Sequence, residues 1–262
     1  MGDEAFVDAC LRRLGVEARG RADLTWLREL HAAHLLHVPF ENLSIHLGEP
    51  ISLEPDALAD KILTRGRGGF CYELNGLFAR LLDRLGYHVT LLGARVWTGE
   101  RFGPPLDHLV LMVATADGAE RWLADVGFGD NSVYPLPWRE RADIDDPGGV
   151  FRLEPADGDW DLYRDGAVQY RIEPHPRALA EFDAMCWYQQ TSPASHFTRS
   201  VVCTRRTAEG RVTLSGQRLI TTTPDGKDEK DLADDDAVLD AYRTVFGIDL
   251  DRVPRVAQRA DR

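Results

Sequence analysis

The stretch that decides the fold is residues 65–76, which read RGRGGFCYELNG. Glycines at 66, 68 and 69 allow backbone conformations that other residues resist, and they let a neighbouring group approach closely. A helix is predicted from Cys71 to Leu85, because its apolar residues recur at spacings of three and four and Gly86 supplies a stop. Cys71 therefore lies in the first turn of a helix, on its inward face.

A cysteine in this position has the features of a nucleophile. The N–H groups and the dipole of a first helical turn stabilise a thiolate, and the glycines leave room for a reacting group. From the residues alone two other interpretations stay open, an inert core cysteine and a loop that cradles phosphate. The loop lacks the Lys-Ser/Thr ending of a P-loop, which argues against a nucleotide site.

A nucleophilic cysteine needs a histidine as base, and the histidine needs a third group to orient it. His108 opens an apolar strand and Asp125 ends the next one, with Asp117-Gly118 as the turn between them. In a hairpin, His108 and Asp125 fall side by side within two residues of register. The alternative is that Asp125 is a turn residue and His108 a half-buried strand residue.

Three further histidines, His31, His34 and His37, share one predicted helix. No nearby cysteine or close acidic pair completes a metal-ligand set around them, so no metal is predicted. They are interpreted as surface or helix-end residues.

Composition narrows the function classes. The chain has 262 residues with a net charge of −12, which argues against nucleic-acid or anionic-membrane binding but allows a local basic pocket for one small anion. Neither a membrane span nor a secretory signal is evident. The four widely spaced cysteines suggest free thiols in a reducing, cytoplasmic setting, and we expect a monomer or a weak homo-oligomer.

The chain divides into three predicted lobes of an α+β fold. Residues 1–86 are mostly helical, and residues 87–190 contain short strands with Asp-Gly turns, typical of an antiparallel sheet or small barrel. Residues 191–262 are mixed: 211–222 is predicted as one strand, 224–236 as a polar break with a solvated acidic loop, and 235–246 as an amphipathic helix.

The segment from Arg67 to Gly76 resembles the active-site signature of the arylamine N-acetyltransferases. The residues around His108 and Asp125 resemble the histidine and aspartate motifs of that family, in the same chain order. Three further segments, at 39–43, 192–197 and 246–248, fit its bacterial members, so the likeness covers about residues 5–250.

The resemblance implies a helical bundle, a central β-barrel and an α/β lid, with a core like that of cysteine proteases and transglutaminases. It implies a triad of Cys71, His108 and Asp125 that transfers acetyl from acetyl-CoA to arylamines, hydrazines or N-hydroxyarylamines, in xenobiotic metabolism. It also implies that Glu41 and Arg67 form a charge pair bracing the cysteine loop.

Two groups of residues are candidates for binding. Aromatic amines fit a cleft with apolar walls, and the candidates for those walls, which ordinary core packing would also explain, are Tyr72, Phe102, Phe128 and Phe197. Gly127 and Gly129 free the backbone beside the site and are candidates for contact with the CoA donor.

One residue departs from the family pattern. Asp107 precedes the histidine where mycobacterial-type members carry a small hydroxyl residue, and an acid there would repel CoA phosphates. Arg95, Arg101 and Arg199 are cations that would compensate.

Three alternative functions stay open. A macrolactam-forming amide synthase of the same fold would take its acyl chain from a carrier-protein thioester. A cysteine protease or transglutaminase-like enzyme is disfavoured by the missing secretion signal and by the cysteine motif itself. A binding module without activity is disfavoured because Cys71, His108 and Asp125 are all present.

Overall fold

The computed structural model describes residues 2–118, 120–138 and 142–256. Its first part is helical, as predicted, and ends in the long helix that begins at Cys71. The elements of this part are α1 (Asp3–Leu14), α2 (Leu24–His37), the short strand β1 (Phe40–Glu41), α3 (Leu43–Leu47), α4 (Pro55–Ala59), a π-helical turn over Asp60–Thr64, and α5 (Cys71–Arg84).

The middle part is an eight-stranded antiparallel sheet with the order β5-β4-β3-β2-β9-β8-β7-β6. A core of aliphatic and aromatic side chains packs against it. The strands are β2 (His88–Val96), β3 (His108–Ala114), β4 (Arg121–Ala124), β5 (Leu136–Pro137), β6 (Ile144–Asp146), β7 (Gly149–Ala156), β8 (Asp159–Arg164) and β9 (Ala167–Arg177).

The last part combines a second antiparallel sheet, of order β1-β10-β11-β12-β13, with two helices. Because β1 pairs with β10, the segment before the cysteine loop is built into this sheet. The elements are α6 (Asp183–Thr191), β10 (Val202–Arg206), β11 (Arg211–Ser215), β12 (Arg218–Thr223), β13 (Gly226–Asp231) and α7 (Asp235–Phe246), with 3-10 turns over Leu179–Phe182 and His196–Thr198.

The helical part and the barrel share one hydrophobic core, and α5 lies at its centre. Leu74, Leu77 and Phe78 of α5 pack in the same cluster as Leu109 and Leu111 of β3. The helix that carries the cysteine is therefore fixed against the strand that opens with the histidine. The α+β class with a helical bundle and an antiparallel barrel is confirmed.

Two local predictions for the last part are wrong. Residues 211–222 form two strands, because Gly216, with a φ of 60°, allows a tight turn between β11 and β12. The predicted solvated loop contains β13, an edge strand whose residues are all exposed and which pairs with β12 from Arg218–Asp231 to Thr223–Gly226. Its alternating charges suit a solvated sheet edge as well as a loop.

The lobe boundaries at 86 and 190 stay predictions, and residues 257–262 of the third lobe lie outside the described residues. Within the described ranges, no helix has the length and apolar character needed to cross a membrane.

Candidate active site

Cys71 is the first residue of α5 and is buried. The chain reaches it through a loop that packs tightly on neighbouring backbone: a Cβ at residue 68 would lie 1.9 Å from the carbonyl oxygen of Pro39. Only glycine fits there. The start of the helix is held by Glu73, whose side chain accepts a hydrogen bond of 3.2 Å from the Phe70 N–H.

The hairpin predicted between the histidine and aspartate strands is present. Leu111 pairs with Ala124 and Ala114 with Arg121, which is the register expected from the Asp117-Gly118 turn. His108 and Asp125 lie beyond the last of these pairs, where His108 Nε2 is 2.8 Å from Asp125 Oδ2. The strand ends thus bring the two side chains into direct contact.

The structure also brings Cys71 to the same histidine. Cys71 and His108 line the same cavity, and the Cys71 thiol is one of the groups that raise the pKa of the His108 ring. Because Asp125 occupies Nε2, the nitrogen left to face the thiol is Nδ1. A thiol, an imidazole and a carboxylate in this sequence form the arrangement that activates a cysteine nucleophile.

Asp125 is held by more than the histidine. Its Oδ1 accepts hydrogen bonds from Asn75 Nδ2 at 2.9 Å and from the Gly127 N–H at 3.0 Å. Asn131 Nδ2 lies 3.3 Å from Oδ2. These donors satisfy the carboxylate in a fully buried position, so its orientation toward His108 is fixed.

The site favours a charged histidine. Burial lowers the pKa of His108, but the Asp125 charge, the hydrogen bond that His108 donates to Asp125 and the interaction with Cys71 outweigh burial and raise this pKa to about 10. Burial raises the pKa of Asp125, but the charge of His108 and the hydrogen bonds from His108, Asn75 and the Gly127 N–H bring this pKa below its ordinary value. At neutral pH the pair is therefore imidazolium and carboxylate.

His31 belongs to the site, contrary to its interpretation as a surface or helix-end residue. It is buried, and its Nε2 accepts a 3.1 Å hydrogen bond from the Asp125 N–H. Its Nδ1 is 2.9 Å from the Val133 carbonyl oxygen and so carries the proton. His34 is buried as well, which also contradicts the prediction.

A cavity of about 930 Å³ opens above Cys71 and His108. Of the predicted substrate-contacting aromatics, Phe102, Phe128 and Phe197 line it. Tyr72 does not: its ring packs against Phe70 and Phe182, and its hydroxyl donates to the Leu106 carbonyl oxygen at 2.9 Å. Three further aromatic residues line the cavity that were not predicted from the sequence: Phe40, Trp97 and Tyr188.

Gly127 and Gly129, the two glycines predicted to contact the CoA donor, lie in different surroundings. Gly127 lines the cavity, and a Cβ there would lie 2.7 Å from the Cα of Cys71, so only glycine allows this approach. Gly129 is outside the lining and packs against the Phe40 ring, while its carbonyl oxygen accepts a hydrogen bond from Arg211. The contact of Gly129 with the CoA donor stays a prediction.

Asp107 lies in the cavity wall next to His108. Its Oδ1 accepts a 2.9 Å hydrogen bond from the Val96 N–H, which closes the base of the loop between β2 and β3. Burial raises the pKa of Asp107 to about 6. Of the three cations considered, Arg101 and Arg199 line the cavity, whereas Arg95 is paired with Glu173 at 2.8 Å.

Glu41 and Arg67 form the expected ion pair, with Arg67 Nη2 and Glu41 Oε1 at 3.0 Å. Both side chains are buried, and Arg67 belongs to the cysteine loop itself. Sequence reasoning missed a second buried pair beside it, Lys61 Nζ and Glu73 Oε1 at 2.7 Å. The only feature of the sequence that pointed to this second pair is that Glu73 lies two residues after Cys71.

The three other cysteines are poor candidates for reaction. Burial raises the pKa of Cys10 to about 12, and it also raises the pKa of Cys186 and of Cys203. In the part of the chain that the structure describes, no group of three His, Cys, Asp or Glu side chains could hold a metal ion.

Comparison with known proteins shows the family of this chain. A family model described as N-acetyltransferase matches residues 23–255. The arylamine N-acetyltransferase of Mycolicibacterium smegmatis is 34% identical over 259 residues, covering 92% of this chain and 90% of that protein.

Solved structures give the same result. The arylamine N-acetyltransferase from Salmonella typhimurium superposes with a TM-score of 0.88 at 29% identity, over 97% of this chain and 95% of that one. The Mycobacterium marinum arylamine N-acetyltransferase in complex with CoA superposes with a TM-score of 0.84 at 30% identity, over 92% of each chain.

Proposed function

Because this chain belongs to the arylamine N-acetyltransferase family, we propose that Cys71, His108 and Asp125 transfer the acetyl group of acetyl-CoA to aromatic amines and hydrazines. The protein is an acyltransferase. The observation that carries the assignment of residues is that buried Cys71 and His108 line one large aromatic cavity, with Asp125 in contact with His108 at 2.8 Å.

The first half-reaction charges the enzyme. The Cys71 thiolate, paired with the His108 imidazolium, attacks the thioester carbonyl, and N–H groups in the first turn of α5 stabilise the oxyanion, a contact typically worth about 3 kcal/mol. The C–S bond to CoA breaks, and His108 gives its proton to the departing CoA thiolate. Acetyl-Cys71 and neutral His108 remain.

The second half-reaction transfers the acetyl group from the enzyme to the amine. The amine attacks acetyl-Cys71, and neutral His108 accepts the proton that the amine loses. The C–S bond to Cys71 breaks, the amide leaves, and the thiolate–imidazolium pair is restored. Throughout, Asp125 holds the ring by Nε2 and stabilises its charge.

The cavity walls suggest where the two substrates bind. Phe102, Phe128 and Phe197 supply apolar surface for an aromatic amine. Arg101, in the β2–β3 loop, and Arg199, in the segment before β10, also line the cavity, where they would attract the phosphates of the CoA donor. The role of Gly127 is the close backbone approach beside Cys71.

Initial-rate kinetics with acetyl-CoA and anisidine tests this function. A ping-pong mechanism gives parallel double-reciprocal lines, and Cys71→Ser should abolish transfer. Intersecting lines, or activity retained by Cys71→Ser, would contradict the proposal. No observation favours the amide synthase alternative; activity with acyl-carrier thioesters but not with acetyl-CoA would support it. The predicted oligomeric state and cytoplasmic location stay predictions.

A further inference from the structure

Lys61 is a buried lysine that the reaction above does not use. It lies in the π-helical turn over Asp60–Thr64, and only 5% of its surface is exposed. Its ammonium group is 2.7 Å from Glu73 Oε1 and 3.9 Å from Glu41 Oε1. A fully desolvated lysine is costly unless it is paired, so its position calls for a reason.

The partner of Lys61 is directly connected to the nucleophile. Glu73 is two residues after Cys71 in the first turn of α5, and its second oxygen accepts the Phe70 N–H. A Cβ at residue 69 would lie 2.7 Å from that oxygen, so the carboxylate also packs closely against the cysteine loop. Any displacement of Glu73 therefore moves the start of the helix that carries Cys71.

The charges of this cluster balance. Two buried cations, Lys61 and Arg67, face two buried carboxylates, Glu41 and Glu73, and the more exposed Glu49 contacts Arg67 at 3.2 Å from the outside. In a buried environment one unmatched charge is felt over a long distance. Glu73 and Cys71 act on a common neighbour, since the pKa of Cys186 is raised mainly by burial and further by the charges of Glu73 and Cys71.

We infer that Lys61 is a positioning residue which neutralises Glu73 beside Cys71 and thereby sets the pH at which the Cys71 thiol becomes reactive. The inference rests on the proposed role of Cys71 as nucleophile. Other titratable groups surround this thiol. Cys71 interacts with His108 of the barrel, with Cys186 of α6 and with Tyr72 of α5 itself. Asp125 contacts His108, and Asp107 lines the same cavity as Cys71. These groups are left unchanged in the variants below.

The test compares two single variants that leave opposite charges unmatched. Lys61→Gln leaves an excess of negative charge, which disfavours the thiolate, and Glu73→Gln leaves an excess of positive charge, which favours it. A unit charge about 10 Å away at an effective dielectric constant of about 20 changes a pKa by about one unit. The double variant is neutral and keeps an amide in each position to form the hydrogen bonds.

The measurement is the rate of Cys71 alkylation by iodoacetamide as a function of pH, with the modified cysteine located by peptide mass. We expect the midpoint for Lys61→Gln to lie about one pH unit or more above that for Glu73→Gln, with the double variant near the wild type. Lys227→Gln is the matched control, because Lys227 pairs with Glu229 on the exposed edge strand and should leave the midpoint unchanged.

The outcomes separate the two proposals. Midpoints that coincide in Lys61→Gln and Glu73→Gln, or that lie in the reverse order, would overturn the role of Lys61. A purely structural pair would lower the reacting fraction of Cys71 in both single variants without separating their midpoints. If one single variant folds poorly, the midpoint of the other is compared with that of the double variant. If wild-type Cys71 reacts no faster than the other cysteines, the proposed function itself fails.

Discussion

The backbone N–H of Asp125 donates a 3.1 Å hydrogen bond to Nε2 of His31, a buried histidine 94 residues earlier in the chain. His31 Nδ1 pairs with the Val133 carbonyl oxygen at 2.9 Å, so one imidazole joins two segments of the barrel to α2. Its role requires the neutral form, and burial lowers the pKa of His31 accordingly. The aspartate of the site is thus held by its backbone as well as by its side chain.

His31→Leu should lower the free energy of unfolding by about 2–3 kcal/mol, because it leaves the Asp125 N–H and the Val133 carbonyl buried without partners. Acetyl transfer should fall as well. Denaturant unfolding and steady-state assays measure the two effects.

His34→Leu is the matched control. His34 lies one turn further along α2, is equally buried, and neither of its ring nitrogens has a hydrogen-bond partner among the described residues. Burial lowers its pKa to about 3, so it is neutral. Leucine there should change stability by less than about 1 kcal/mol. Equal losses in His31→Leu and His34→Leu would contradict the role of the His31 hydrogen bonds.

Asp125→Asn should reduce kcat/KM for acetyl transfer by a factor of about 10² to 10⁴. The asparagine removes the charge that keeps His108 protonated, and it places an NH₂ group where Asp125 now accepts hydrogen bonds. Steady-state assays with acetyl-CoA and anisidine measure the loss. Asp228→Asn, on the exposed edge strand, is the control. Near-normal activity in Asp125→Asn would show that the carboxylate is not part of the mechanism.

Arg67→Met should lower the free energy of unfolding by about 3–5 kcal/mol, because Glu41 keeps a buried charge without its main partner. Combining Arg67→Met with Glu41→Gln should recover part of the loss, since no unmatched charge is left in that pair. Arg218→Met is the control: its ion pairs with Glu229 and Asp231 are exposed and should contribute less than about 1 kcal/mol. Urea unfolding would measure all four proteins, and similar losses for Arg67→Met and Arg218→Met would refute this account.

Asp107 should make the binding of acetyl-CoA pH-dependent. Its pKa of about 6 lies above the ordinary value of 3.8, so the carboxyl is largely neutral at pH 5 and charged at pH 7. A negative charge in the cavity wall repels the CoA phosphates, and KM for acetyl-CoA should rise about threefold over this range. Asp107→Asn keeps an acceptor for the Val96 N–H and should abolish the rise. The same rise in both proteins would exclude Asp107 as its cause.

The sequence predicts the parts of the site that rest on local patterns. The apolar stripe after Cys71 defines a helix with the thiol on its inner face, and the Asp117-Gly118 turn sets the register that brings His108 toward Asp125. Glu41 and Arg67 follow from the family resemblance. The helix and the hairpin each depend on spacing within one element or one pair of strands.

The contacts that sequence reasoning missed depend on the tertiary fold. His31 and Lys61 are polar residues in helical segments, where the pattern favours an exposed position, and only the packing of α2 and the π-helical turn against the site buries them. Tyr72 is a predicted wall residue that follows Cys71 directly in α5, but adjacent residues of a helix point in different directions, and its hydroxyl donates to the Leu106 carbonyl oxygen. The edge strand β13 escaped prediction because it is fully exposed and has no apolar face.

The central claim is that Cys71 carries the acetyl group between the two substrates. The most direct test is intact-mass analysis of the protein after brief exposure to acetyl-CoA, followed by addition of anisidine, with Cys71→Ser as the control. The account predicts one acetyl group on Cys71, absent from Cys71→Ser, that the amine removes as the acetylated product forms. An unmodified Cys71, or an acetyl group on Cys71 that the amine does not discharge, would contradict it.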